Sequence, residues 1–539
     1  MIPTHVSAMD IAHALPDDAH LLTVGMTLVG ASESILAAIE ERFLATGHPR
    51  NLTLIHCAGQ SNRVAGIQHL AHEGLVGRII GSHWGLAPRW MEFISSNTVT
   101  AYCMPQGQMT HWLRSMAAGM PGHLTPVGLG TFVDPRIEGG KMNDRTRKHP
   151  DLVRLVEVFG KEYLWFEGVP IDWVLIRGTE ADPMGNLSAK EEAMKLELLP
   201  AVFAGRRWEG KIVAQVKRIV DRGMIPPRQV EVPGVHIDFI VRADDPDTQH
   251  RQTSGWVYDP NFSEMGFRPT EIATDESEGD MDVRRLIGRR AVFELRLNDI
   301  INVGTGIPND VIGSVLRREC VTDLVNLTVE SGVYGGTPVG GVDFGISRNP
   351  DALIEHPYQF DFYNGRGVDI TFMGFAEVDA DGNVNATKFG DRAAGAGGFI
   401  DITQSARRVV FLGTLTAQGT DIRIHSGGIQ IVNEGRVSKF VSAVQQISFN
   451  GQLALQRGQA VTVVTERAVL RLGEHGWIVE EIAPGIDLNR DVLNHMAFVP
   501  QISHHLRTMS AGIFSSEALN LRDLLGKTQE QQERSHSNG

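Results

Sequence analysis

The chain has 539 residues, too many for one hydrophobic core, so two or more domains are expected. Hydrophobic residues at 42% and charged residues at 21% make an ordinary globular balance, while a net charge of −14 argues against a nucleic-acid partner, which needs basic surface. No stretch is long and apolar enough to cross a membrane, no signal peptide is visible, and Cys57, Cys103 and Cys320 form no CxxC pair, so the expectation is a soluble cytoplasmic protein with free, buried thiols.

Leu21–Gly30 reads as a strand running into a glycine turn, and Ala31–Phe43 as a helix that starts near Ser32 or Ser34 and carries Ile35, Leu36, Ile39 and Phe43 on one face. Asn51–His56 is the next strand, followed by short elements at Gly81–Pro88 and Ser96–Met104. The spacing then predicts a helix over Gln108–Ala118, a strand and loop over Leu124–Asp134, a strand over Trp173–Arg177, a turn at Asp182–Asn186, a helix over Ala189–Leu199 and a strand over Ile212–Val216.

The same order recurs. Ile300–Pro308 is again a strand entering a glycine turn, with a helix over Asp310–Arg318. Asn326-Leu-Thr-Val repeats Asn51-Leu-Thr-Leu 275 residues on (326 − 51), and the turn at Asp379–Asn385 repeats the one at Asp182–Ser188 197 residues on, counted at their Gly-Asn pairs (383 − 186). Two related α/β halves are therefore expected, the first enlarged by about 78 residues (275 − 197) around 85–165. The expected division is an N-terminal α/β domain over 1–241, an acidic solvated linker over 242–282, a C-terminal α/β domain over 283–525 and a disordered tail over 526–539.

The chemistry gathers around Glu330, the one acid in Val325–Gly336. β-branched and apolar residues precede it and small ones follow, which puts it at the carboxyl end of a strand, where open α/β sheets bind ligands. The bland alternative is a loop cap or a partner for an Arg. Glycines also mark strand ends at Gly25–Gly30, Gly304–Pro308 and Gly395–Gly398, where backbone N–H groups hold anions or a developing oxyanion. There is no GxxxxGK[ST] loop, HExxH or GxSxG, and the histidines, His83, His504 and His505 among them, show no metal-ligand spacing.

Glu330-Ser-Gly-Val-Tyr-Gly-Gly336, Gly304-Thr-Gly-Ile-Pro308, Met104-Pro-Gln-Gly107, Gly395-Ala-Gly-Gly-Phe399 and the stretch Pro121–Pro135, in this order and spacing, resemble the family I CoA-transferases over about residues 15–520. The nearest likeness is to single-chain transferases that pass CoA between short-chain acyl-CoAs and acetate or propionate. The resemblance implies two similar open α/β halves with the active site in the cleft between them. It implies a ping-pong reaction through a glutamyl-CoA thioester on Glu330. Gln106 and the Gly397–Gly398 pair are implied as oxyanion donors, with the choice between the two glycines left open. Asn302 and Ser34 are implied to touch the carboxylate, although the family more often has Asn where Ser34 stands, and Gly304, Thr305, Gly306, Ile307 and Pro308 to contact CoA. Coenzyme A would be a substrate carrier, with no tightly bound cofactor and no metal, and acyl-CoA and short-chain carboxylates would be the partners of a homo-oligomer, dimer or tetramer. Two other readings stand beside this one: an acyl-CoA hydrolase using the same Glu, and a non-catalytic sensor of a phosphorylated metabolite on a related fold.

Overall fold

The computed structural model describes residues 2–264 and 281–526, so 265–280 of the expected linker and 527–539 of the expected tail lie outside the described residues. The chain divides into two compact units that are not simple halves. Within the described residues, unit 1 takes 2–264, 329–361 and 387–401, and unit 2 takes 281–328, 362–386 and 402–526.

Unit 1 is built on a sheet whose strands are β1 (Thr4–Val6), β2 (His20–Thr23), β3 (Leu52–His56), β4 (Val76–Gly81) and β5 (Thr100–Cys103), joined later by β9 (Trp173–Ala181), β11 (Lys211–Ile219) and β12 (Phe239–Arg242). Their order is β1-β12-β11-β9-β2-β3-β4-β5, every neighbouring pair parallel, with β10 (Leu187–Ser188) added antiparallel to β9. Strands buried on both faces need continuous apolar runs, and β3 and β9 are buried at every position. Between β5 and β9 the first half carries a separate three-stranded sheet of β6 (Gly122–Thr125), β7 (Val153–Val158) and β8 (Lys161–Glu167), within and just beyond the expected insertion.

Unit 2 repeats the core of this plan. Its sheet runs β14 (Asn326–Val329), β13 (Ile300–Val303), Ile370–Gly374, Arg408–Leu412 and Ala460–Val464, all parallel, and then Ala468–Gly473, Gly476–Ile482 and Gln501–Thr508. Taken by position in the chain, this parallel order matches β3-β2-β9-β11-β12 of unit 1. The two Asp turns match atom for atom. Asp182 Oδ1 accepts from the N–H groups of Met184 and Asn186, and Oδ2 accepts from Asn186 Nδ2 at 2.9 Å. Asp379 does the same with Asp381, Asn383 and the Asn383 side chain at 3.1 Å.

Four expectations differ from what is found. Residues 189–197, expected to be helical, are an irregular loop, and the helix is Leu198–Arg207. The loop's acids face inward: Glu192 pairs with the buried Arg177 at 2.5 Å, and Leu196 has a φ of 54°, which breaks any helix there. The stretch expected as a solvated linker is folded over 242–264, with Thr253 and Phe262 fully buried and Gln252 Nε2 donating to Glu191 O. Residues 329–361, expected in the C-terminal domain, belong to unit 1, where Asp343 accepts from Gly255 N, Asn261 O accepts from Asn349 N and Leu196 O accepts from His356 N. Cys57 and Cys103 are buried, but Cys320 is exposed in a left-handed position just after the Ile307–Arg318 helix. Among the described residues, no helix is long and apolar enough to cross a membrane.

Candidate active site

Strand β14 ends at Val329, and the chain turns at once: Gly332 N–H donates to Val329 O at 3.0 Å, leaving Glu330 and Ser331 as the two inner residues of a tight turn. Gly332 is required there. Its φ is 99°, and a Cβ on it would meet Ile354 O at 2.2 Å. The turn is tied down on both sides, because Ile354 N–H donates to Gly332 O at 2.9 Å and Ser331 Oγ donates to Gly345 O. Glu330 is held in this frame with only 7% of its surface exposed.

Two residues past Ile354 stands His356, at the start of the His356–Phe362 helix. Its ring is fully buried, with Nδ1 on Glu197 Oε2 at 2.7 Å and Nε2 on the Gln106 side-chain nitrogen at 2.9 Å. Gln106 opens the Gln106–Ala117 helix, right after β5 and the bend at Met104 and Pro105. Its backbone N–H donates to Gly397 O at 2.9 Å, and Asp401 accepts from Gly107 N and from Gln108 Nε2. Unit 1 therefore carries three of the sequence-derived groups, the Glu330 turn, Gln106 and the Gly397–Gly398 pair, with Gln106 hydrogen-bonded directly to Gly397. The bridge between them, His356 with Glu197, has no counterpart in the sequence reading. No spacing motif surrounds His356, and Glu197 lay inside the expected Ala189–Leu199 helix.

Of the glycine pair, Gly397 has a φ of 52°, and its N–H is committed to Ser82 O at 2.9 Å. Beside them His83 bridges to Gly395, and burial together with the charge of Arg392 pushes its pKa down to about 4, so it is neutral at pH 7. The buried Cys57 thiol is pushed well up by burial and by the neighbouring Glu197 carboxylate, and burial pushes Cys103 up to about 12, so neither is a thiolate.

The remaining sequence-derived residues stand on other elements, Asn302 on the strand that pairs with β14. Ser34 lies in unit 1, second in the Glu33–Thr46 helix, where its hydroxyl donates to Gln215 Oε1 at 2.7 Å and its N–H donates to the same oxygen at 3.0 Å. Asn302 lies in unit 2, fully buried on β13, its Nδ2 donating to Tyr363 OH at 3.2 Å and its Oδ1 accepting from Thr371 Oγ1 at 3.1 Å. Thr328 Oγ1 joins Tyr363 OH at 2.8 Å. Gly304–Pro308 links β13 to the Ile307–Arg318 helix; Thr305 and Gly306 are exposed, and Gly306 has a φ of 80°.

A family model described as Coenzyme A transferase matches residues 6–243. The chain is 38% identical over 528 residues to the caffeate CoA-transferase of Acetobacterium woodii, covering 97% of this chain and 99% of that one. The chain belongs to the coenzyme A transferase family. The transferase is also 39% identical over 516 residues to the acetate CoA-transferase YdiF of Escherichia coli strain K12, covering 95% of this chain and 96% of that one. Its fold matches the crystal structure of the acyl-CoA transferase YdiF from E. coli O157:H7, a thioester complex with CoA, with a TM-score of 0.88 and 37% identity over 96% of this chain and 97% of that one. The two similar open α/β halves read from the sequence repeat are those of this family.

Proposed function

We propose that this transferase moves CoA from a short-chain acyl-CoA to a carboxylate such as acetate or propionate, with Glu330 as the covalent carrier. The observation that carries the reading is the Glu330 turn. A glutamate stands buried immediately after a parallel strand, in a frame whose other wall leads through Ile354 and His356 to Gln106. A carboxylate is a weak nucleophile in water and gains from being desolvated and aimed.

The Glu330 carboxylate attacks the thioester carbonyl, forming a mixed anhydride and releasing CoA thiolate. The thiolate attacks the glutamyl carbonyl, giving the glutamyl-CoA thioester and the free acyl carboxylate. A second carboxylate reverses both steps and leaves as its CoA thioester. The Gln106 amide and the Gly398 N–H stabilise the tetrahedral oxyanions. Asn302 and Ser34 are the polar residues that the resemblance assigns to the carboxylate substrate; both side chains are buried and hydrogen-bonded within the protein. The Gly304–Pro308 turn contacts CoA through its exposed residues, Thr305 and Gly306. One thioester is exchanged for another, so the chemistry calls for no ATP, metal or redox cofactor.

The nearly equal likeness to a caffeate and an acetate transferase supports a second reading of the acceptor, as an aromatic acid. Turnover of propionyl-CoA with acetate, with caffeate and with no acceptor separates these. New acyl-CoA appearing only with acetate is the expected result. Caffeoyl-CoA instead assigns the aromatic acceptor, and CoA released at one rate in all three arms makes the protein a hydrolase.

A further inference from the structure

Gln106, His356 and Glu197 form a buried chain, exposed by 2%, 0% and 0%. With the Gln106 amide nitrogen facing the ring, one tautomer satisfies both contacts of His356. An amide nitrogen only donates, so His356 Nε2, 2.9 Å from Gln106 Nε2, carries the lone pair. A neutral imidazole has one N–H, which is then on Nδ1, facing the Glu197 carboxylate at 2.7 Å. Each member fixes the next: Glu197 sets the tautomer, the tautomer makes Nε2 an acceptor, and the acceptor decides which way round the Gln106 amide sits. The terminal torsion of a glutamine is otherwise broad and two-fold. With one N–H bonded to His356, the planar amide fixes where its second N–H points.

The backbone and ring of His356 are tied to their neighbours. His356 N–H donates to Leu196 O at 3.1 Å, and the His356 ring lies 5.3 Å from the Phe360 ring. Burying a carboxylate, an imidazole and an amide is costly, and an apolar filling of similar volume usually serves stability as well or better. Orienting a donor is a use that an apolar filling cannot supply.

We propose that His356 and Glu197 are positioning residues that hold the Gln106 amide with an N–H aimed at the developing oxyanion. This rests on Gln106 acting as an oxyanion donor. Neither residue touches substrate in this scheme.

The test is a double-mutant cycle on kcat with Gln106→Ala, His356→Phe and the two combined, with His356→Gln as the conservative variant. His356→Phe is expected to lower kcat about 10- to 100-fold, below the loss from removing the donor outright, with the KM for acyl-CoA within about two-fold. It is expected to add nothing in the Gln106→Ala background. His356→Gln, whose side-chain oxygen can stand in for Nε2, is expected to recover most of kcat. Independent effects that multiply, or a His356→Phe enzyme with wild-type kcat beside an impaired Gln106→Ala, overturn the positioning role alone. A wild-type kcat in Gln106→Ala removes the donor and the proposal with it. Should His356→Phe fail to fold, 15N NMR of the wild-type enzyme decides: a protonated Nδ1 and a bare Nε2 on His356 are expected, and a protonated Nε2 overturns the relay.

Discussion

The two strand ends that open on glycine turns, Gly25–Gly30 in unit 1 and Gly304–Pro308 in unit 2, hold corresponding places in the two sheets and are built differently. In the first, Met26 and Val29 exchange both backbone hydrogen bonds at 3.0 Å, and buried Arg177 donates to the carbonyls of Leu28 and Ala31. All six residues are buried. In the second, Thr305 and Gly306 are exposed, and a Cβ on Gly306 would meet nothing within 4 Å. The Asp182 and Asp379 turns, in contrast, keep the same three hydrogen bonds in both units. The strand ends differ: one is closed into packing, while the other leaves Thr305 and Gly306 exposed.

The comparison can be pressed with four experiments. The largest effect is expected at the end of β14, where the proposed CoA carrier stands: Glu330→Ala should abolish transfer while circular dichroism and the unfolding temperature stay near wild type. Retained turnover would remove the nucleophile. Next comes Gln106→Ala, expected to lower kcat about 100- to 1000-fold with little change in KM, read by steady-state kinetics.

Gly30→Ala and Gly306→Ala set the closed end directly against the open one. Both positions have positive φ, 74° and 80°, so each substitution should cost about 1 kcal/mol of backbone strain. At Gly30 the new methyl also meets the Leu196 side chain at 2.5 Å, adding about 1–3 kcal/mol of overpacking. Denaturant unfolding should therefore rank Gly30→Ala as the less stable, while only Gly306→Ala raises the KM for acyl-CoA. Equal stabilities with unchanged KM would erase the distinction between the two ends.

The smallest effect is in acid. Burial holds His56 and His250 of unit 1 down to about 4 and His123 to about 3. The unfolded chain protonates them near pH 6.5 and the folded one does not, so stability falls as pH drops from about 6.5 toward 4. In unit 2, burial raises Asp299 and Glu466, which shifts stability the opposite way as they take up protons. Hydrogen exchange at pH 7 and pH 5 should show β9 losing protection before Arg408–Leu412. The reverse order would contradict this.

How much of this was legible in the sequence follows from what each residue's signal depends on. β-branched runs such as Asn51–His56 and Asn326–Val329, and Asp…Gly-Asn turns, carry local propensity strong enough to fix strands, turns and the repeat. The Ala189–Leu199 stretch misled because its apolar spacing is helical while Arg177 and His356, far away in the chain, draw Glu192 and Glu197 inward. The same reason hid the His356–Glu197 pair, since two residues 159 apart share no local pattern. Residues 329–361 were assigned to the wrong unit because their partners, Leu196, Gly255 and Asn261, come from the first half of the chain.

The most direct measurement is mass spectrometry of the enzyme after incubation with propionyl-CoA and no acceptor. A CoA adduct on the peptide containing Glu330, released when acetate is added and absent from Glu330→Ala, is the expected result. An unmodified Glu330 peptide in an enzyme that turns over, or an adduct on another residue, would contradict the proposal that Glu330 carries CoA.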